Sequence, residues 1–142
     1  MKIAIAADHG GFELKESLKK HYAELDWLDL GTDSADSTDY PDFAHKMAHT
    51  ILSGQADLGI LICGTGIGIS IAANRHKGIR AALLYSEEVA RLAKAHNNAN
   101  VLVFGGRTMT PEDVIKRIDI FLQTTYEGGR HQRRLNKIEE TE

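Results

Sequence analysis

The stretch LGILICGTGIGIS, residues 58–70, decides the fold class. Leu58 to Ile62 is an unbroken apolar run, as expected of a strand buried on both faces. It enters Cys63-Gly64-Thr65-Gly66-Ile67-Gly68, after which the spacing predicts a helix through Arg75. A buried strand that turns through glycines into a helix is the repeating unit of a parallel α/β sheet.

The same unit recurs on both sides of this stretch. Residues 3–7 (IAIAA) end at Asp8-His9-Gly10-Gly11 and lead to an amphipathic segment, Phe12 to Leu25. Trp27 to Leu30 reads as a second strand, closed by Gly31. The turn formers TDSADSTDYPD follow, and Pro41 suits the first turn of a helix reaching about Ser53. Ile79 to Leu84 is the fourth strand. Ser86 is a good N-cap for a helix whose inner face is Val89, Leu92 and Ala93. Asn100 to Phe104 is the fifth strand, stopped by Gly105-Gly106, and Pro111 opens a helix through about Leu122. The tail, YEGGRHQRRLNKIEETE (126–142), is polar and predicted helical after Arg130. The expectation is one domain over 1–142: a three-layer α/β/α sandwich with an open, five-stranded, parallel, Rossmann-like sheet and a C-terminal helical tail.

Composition narrows the function classes. The chain has 142 residues, 42% hydrophobic and 26% charged, enough to bury a core. A net charge of −3 argues against a broad nucleic-acid footprint. Cys63 is the single cysteine, so no intramolecular disulfide forms, which suits a reducing, cytoplasmic setting. No segment approaches the ~18 apolar residues of a membrane span, and the N-terminus lacks a signal-peptide apolar region.

In open parallel sheets, ligands bind beyond the carboxyl ends of the strands. Asp8-His9, the Cys63 glycine loop and Gly105-Gly106-Arg107 fall there. His96-Asn97 precedes the fifth strand, so topology alone does not bring it to that edge. The loop is neither of the common nucleotide signatures. Its glycines are 64, 66 and 68, with Ile69 where a dinucleotide fingerprint needs glycine, and no lysine completes a P-loop. It can cradle an anion with backbone N–H groups, or simply be a tight turn. A thiol beside a helix N-terminus gives up its proton more readily, making Cys63 a candidate nucleophile or base; the alternative is a small buried residue. Thr65 offers a hydroxyl, or turn chemistry. His9 and His96 can move protons or merely cap, and Asn97 can hold sugar hydroxyls or close a turn. Arg130 and Arg134 share a helix face and suit phosphate, or pair with acids. His45 and His49 share a helix face too, but no third ligand is evident in sequence, so they read as surface histidines and no metal site is expected.

Taken together, Asp8-His9-Gly10-Gly11, Thr38-Asp39-Tyr40-Pro41, ILICGTGIGISIAANR (60–75), His96-Asn97 with Asn100-Val101, Phe104-Gly105-Gly106-Arg107 and Tyr126-Glu127-Gly128-Gly129-Arg130-His131 resemble the ribose-5-phosphate isomerase B family. The galactose-6-phosphate isomerase subunits are related. The resemblance covers essentially the whole chain. It implies interconversion of ribose 5-phosphate and ribulose 5-phosphate, a pentose phosphate pathway step, without metal or organic cofactor. Cys63 matches the base that moves the proton between C2 and C1 through a cis-enediolate, His96 the ring-opening residue, and Thr65 an assisting hydroxyl. Gly64, Gly66, Ile67 and Gly68 match the loop that stabilises enediolate oxygens. Asp8, His9, Tyr40, Ser70, Asn97, Arg107, Arg130 and Arg134 match substrate-binding positions, the arginines chiefly for phosphate. The family forms homodimers or homotetramers, with the tail arginines serving the neighbouring subunit. Six-carbon phosphates such as allose or galactose 6-phosphate remain an alternative substrate, and a non-catalytic phosphate- or nucleotide-binding module is a more distant one.

Overall fold

The computed structural model describes residues 1–140; Thr141 and Glu142, the end of the acidic tail, lie outside the described residues. The elements are β1 (Lys2–Ala7), α1 (Phe12–His21), β2 (Asp26–Asp29), α2 (Tyr40–Leu52), β3 (Leu58–Cys63) and α3 (Ile67–Ala73). They continue as β4 (Ala81–Leu83), α4 (Glu87–Ala95), β5 (Val101–Gly105), α5 (Pro111–Gln123) and α6 (Arg130–Ile138). The five strands form one parallel sheet in the order β2-β1-β3-β5-β4.

Every residue of β3 and β5 is buried, because helices cover both faces of these two inner strands. On one face Leu14 and Leu18 of α1, Ala90 and Ala93 of α4, and Val114, Ile118 and Phe121 of α5 pack on Ile3, Ile5, Ile60, Ile62, Leu102 and Phe104. On the other, Ala44, Met47 and Ala48 of α2 and Ile69 and Ala73 of α3 pack on Ala4, Ala6, Leu61, Val101 and Val103. Alternate residues of each strand thus feed opposite layers.

Three element ends differ from the sequence reading by two residues or more. Helix α1 stops at His21, because the Trp27 indole donates to the Tyr22 carbonyl at 2.9 Å and Tyr22 anchors its hydroxyl on Asp119 at 2.7 Å. Helix α3 stops at Ala73 rather than Arg75, with Asn74 as its C-cap. Strand β4 starts at Ala81 rather than Ile79. The Ile79 N–H turns back to the His76 carbonyl, and the Arg80 N–H goes to the Asn100 side chain at 2.8 Å. One buried charge is tied down at the sheet edge: Lys15, 1% exposed, donates to Asp29 Oδ2 at 2.6 Å, and Lys19 reaches the same oxygen at 2.7 Å. Burial pushes the Asp29 carboxyl up, but Lys15 and Lys19 outweigh it and hold it below its ordinary 3.8.

Candidate active site

Parallel strands deliver their carboxyl ends to one edge, and three loops meet there. The Gly106 N–H donates to the Cys63 carbonyl at 2.8 Å, the Arg107 N–H to the Gly64 carbonyl at 2.9 Å, and the Asp8 N–H to the Ile62 carbonyl at 3.2 Å. A Cβ on Gly106 would collide with the Gly10 carbonyl, so the β1–α1 and β5–α5 loops touch only because glycine stands there. Asp8, 6% exposed, accepts the Gly10 N–H at 2.9 Å. His9 Nδ1 accepts the Thr38 N–H at 3.2 Å, which leaves Nε2 as the ring nitrogen without a hydrogen bond among the described residues.

Cys63 ends β3, 5% exposed, and its sulfur accepts the Gly66 N–H at 3.2 Å. Gly66 makes this contact at φ +84°, a conformation that L side chains rarely adopt. The N–H groups of Gly64 and Thr65 carry no hydrogen bond among the described residues, so two preorganised donors sit beside the sulfur. The ring of Tyr40 lies over Gly68: a Cβ there would stand 2.6 Å from Tyr40 Cζ. Arg107 lies along Gly64 and, like Arg130 and Arg134, makes no side-chain hydrogen bond or ion pair among the described residues. Thr65 Oγ1 accepts the Ile67 N–H at 3.2 Å, leaving its own proton free, while the Ser70 hydroxyl donates to the Ile67 carbonyl at 2.7 Å, a bond internal to the helix. A buried thiol, a hydroxyl and unpaired N–H groups around one point can move a proton and hold a developing oxyanion.

The remaining candidates lie elsewhere. His96 is the C-cap of α4, and Asn97 follows it. Arg80 fixes this turn by donating to the carbonyls of Asn97 at 3.1 Å and Asn98 at 2.9 Å, and the Glu127 N–H ties the tail to the Ala95 carbonyl at 3.0 Å. An open hollow of about 360 Å³ is lined by His96, Asn97, Arg130, His131, Arg134 and Leu135. This is the amino edge of the sheet. Cys63 pairs with Gly105 at the far end of β5, whereas His96 and Asn97 precede Val101 at its start. Four strand steps separate the two clusters by roughly 13 Å or more. The sequence reading gave only the tail arginines to a neighbouring subunit; the fold puts His96 and Asn97 with them.

Two residues of the amino-edge cluster were given no site role in the sequence reading. His131, 6% exposed, stacks on His96 with ring centroids 4.1 Å apart and 15° between planes. Glu127 Oε1 lies 3.7 Å from His96 Nε2 and 3.3 Å from His131 Nε2. Both sit in the EGGRH run, but the stack depends on α6 folding back under α4, which no local pattern reveals. His45 and His49 are exposed on α2, as the sequence reading has them. The structure supplies the third imidazole that the sequence did not: His76, just past α3, with Nε2 2.6 Å from His45 Nδ1. Burial, then the neighbouring His45 and His49, hold the His76 imidazole below its ordinary 6.5.

Comparison with known proteins agrees with this architecture. The chain matches the family model described as Ribose/Galactose Isomerase over residues 3–138. Ribose-5-phosphate isomerase B of Escherichia coli is 46% identical over 139 residues, spanning 96% of this chain and 93% of that protein. A crystal structure of a ribose 5-phosphate isomerase from Thermotoga maritima superposes with a TM-score of 0.96 at 54% identity, covering 99% of this chain and 98% of that one. Ribose-5-phosphate isomerase B from Mycoplasma genitalium, solved with bound ribulose-5-phosphate, superposes with a TM-score of 0.92 at 47% identity, covering 99% and 97%. With the parallel sheet, the buried thiol under its glycine loop and the free arginines in the matched region, the chain belongs to the ribose/galactose isomerase family.

Proposed function

We propose that this chain is an aldose–ketose isomerase that interconverts ribose 5-phosphate and ribulose 5-phosphate in the cytoplasm, with each active site completed by a second copy. The observation that carries the chemistry is Cys63, buried at the end of β3 beside the unpaired N–H groups of Gly64 and Thr65. His96 donates a proton to the furanose ring oxygen while the anomeric hydroxyl gives its own proton to water, opening the ring. The Cys63 thiolate then takes the C2 proton. The electron pair moves through C1–C2 onto O1, giving a cis-enediolate whose charge the loop N–H groups stabilise. Thr65 relays a proton between O1 and O2, and Cys63 returns its proton to C1. Both transfers occur on one face, so one base is enough. Asp8, His9, Tyr40 and Asn97 hold hydroxyl groups, and Arg107, Arg130 and Arg134 hold the phosphate.

The split between the two edges supports a shared site. Helix α3 runs from the Cys63 loop toward the amino edge and exposes Ile67 (55%) and Ile71 (54%) one turn apart, with Tyr85 (65%) nearby in sequence beyond β4. Such an apolar stripe is a natural contact for a second copy. A two-fold axis across α3 reverses the helix in the partner and sets the partner's amino edge against this chain's carboxyl edge. His96, Asn97, Arg130 and Arg134 of one chain then face Cys63 of the other, in a homodimer or a homotetramer built from such pairs. The test is turnover across a panel of five- and six-carbon aldose phosphates. Preference for ribose 5-phosphate is expected, and turnover confined to six-carbon sugars would reassign the substrate.

A further inference from the structure

Outside the proposed active site, one cluster of metal-ligating side chains is unexplained. His45 and His49 stand one turn apart on the exposed face of α2, and His76 follows α3 on the same layer. His45 Nδ1 and His76 Nε2 are 2.6 Å apart, with ring planes at 66°. The His49 and His76 ring centroids are 5.7 Å apart at 69°. Neighbouring residues on a helix at this spacing point their side chains to one side, so a rotation of the exposed His49 ring closes the trio.

We propose that His45, His49 and His76 form a three-imidazole site for a divalent transition-metal ion of the zinc class. Three imidazole nitrogens plus a water make a tetrahedral set that suits zinc, cobalt(II) or nickel(II). His45 Nδ1 and His76 Nε2 face each other at 2.6 Å, closer than two ligands of one tetrahedral ion, so binding requires these rings to turn and open the contact; their inclined planes let the turned rings direct lone pairs to a common point. Without metal, one ring of the His45–His76 pair donates its proton to the other. With metal, that ring moves the proton to its other nitrogen, so both contacting nitrogens become ligands and no net proton is released from the neutral trio. The ion would clamp α2 to the segment after α3. These two helices present Tyr40 and the glycine loop at their opposite ends, and their packing is dense along Met47, Ala48, Ile69 and Ala73.

A second cluster, His96, Glu127 and His131, already holds its ligand atoms within 4.8 Å of one another, but its geometry differs. Its imidazoles are nearly parallel, at 15°, and an ion cannot lie in both ring planes at once. That cluster therefore serves as the control. The full-length protein, stripped with chelator, is titrated with zinc by calorimetry and followed by thermal melting. Cobalt(II) is added separately to read the visible d–d bands of a tetrahedral ion. A zinc-binding event that raises the melting temperature is expected in the wild type and in His131→Gln. His49→Gln and His76→Gln should each weaken it by roughly ten-fold or more, since losing even an outer partner of a metal ligand costs that much. Imidazole nitrogen resonances of the wild-type protein give a reading independent of any variant: those of His45, His49 and His76 should shift together on adding zinc. No binding at micromolar zinc would overturn the proposal. So would binding that His45→Gln, His49→Gln and His76→Gln leave intact, or shifts confined to His96 and His131.

Discussion

Gly66→Ala probes the contact between loop geometry and chemistry. The residue sits at φ +84°, where an L side chain costs about 1–2 kcal/mol. The added Cβ would stand 2.6 Å from Leu83 Cδ1, a side-chain end that can move, and 3.0 Å from the Phe104 carbonyl oxygen, which is backbone of β5 and cannot move far. Crowding of this kind costs about 1–3 kcal/mol. Together the penalty is about 2–5 kcal/mol, or roughly 6–17 °C in Tm for a domain of this size. The chain can relieve it by flipping Gly66 to negative φ. The flip withdraws the N–H that reaches the Cys63 sulfur at 3.2 Å and displaces the donors beside it. The variant is followed by thermal melting and by steady-state turnover of ribose 5-phosphate. A lower Tm, or a near-native Tm with kcat reduced by about ten-fold or more, is expected, the split reporting how far the loop yields. Wild-type Tm together with wild-type kcat would refute the reasoning.

Other outcomes follow from the same structure. Cys63→Ala should lower kcat by roughly 10²–10⁴-fold with little change in substrate affinity, measured by turnover and calorimetric binding. His96→Asn should slow the cyclic sugar far more than an open-chain phosphate analogue; equal losses on both would remove the ring-opening role. Asp29→Ala should cost about 3 kcal/mol by chemical denaturation, because it strands the buried Lys15 ammonium. The depressed Asp29 carboxyl contributes stability above its unfolded value and loses it as pH falls through the folded value. The gap between wild type and Asp29→Ala should therefore narrow as pH falls below 3.8, and a constant gap would count against the pairing.

The alternation of strand and helix was legible because each element carries its own period and its own stop signal. The all-apolar run at Leu58–Ile62 announced a doubly covered strand, Ser86 does cap α4 through its side-chain oxygen, and Pro111 does open α5. What escaped depended on residues distant in sequence. The start of β4 was overestimated because Asn100, twenty residues away, takes the Arg80 N–H. The carboxyl-edge half of the site was readable, since parallel strands must deliver Asp8, Cys63 and Arg107 to one side. The amino-edge half was named by family resemblance, but His131 under His96 and His76 beside His45 required the packed layers. The same limit applies to the shared site, where one chain shows two incomplete halves.

Those halves make the central claim directly measurable. Chains carrying Cys63→Ala and chains carrying His96→Asn, each nearly inactive alone, are co-expressed with different tags, and mixed oligomers are purified and assayed. If sites are shared, a mixed pair holds one doubly altered site and one intact site. Random pairing should restore about a quarter of wild-type activity per chain in the unsorted mixture, and about half in the purified mixed pair. Activity no greater than the sum of the two parent variants would contradict a site built across two copies.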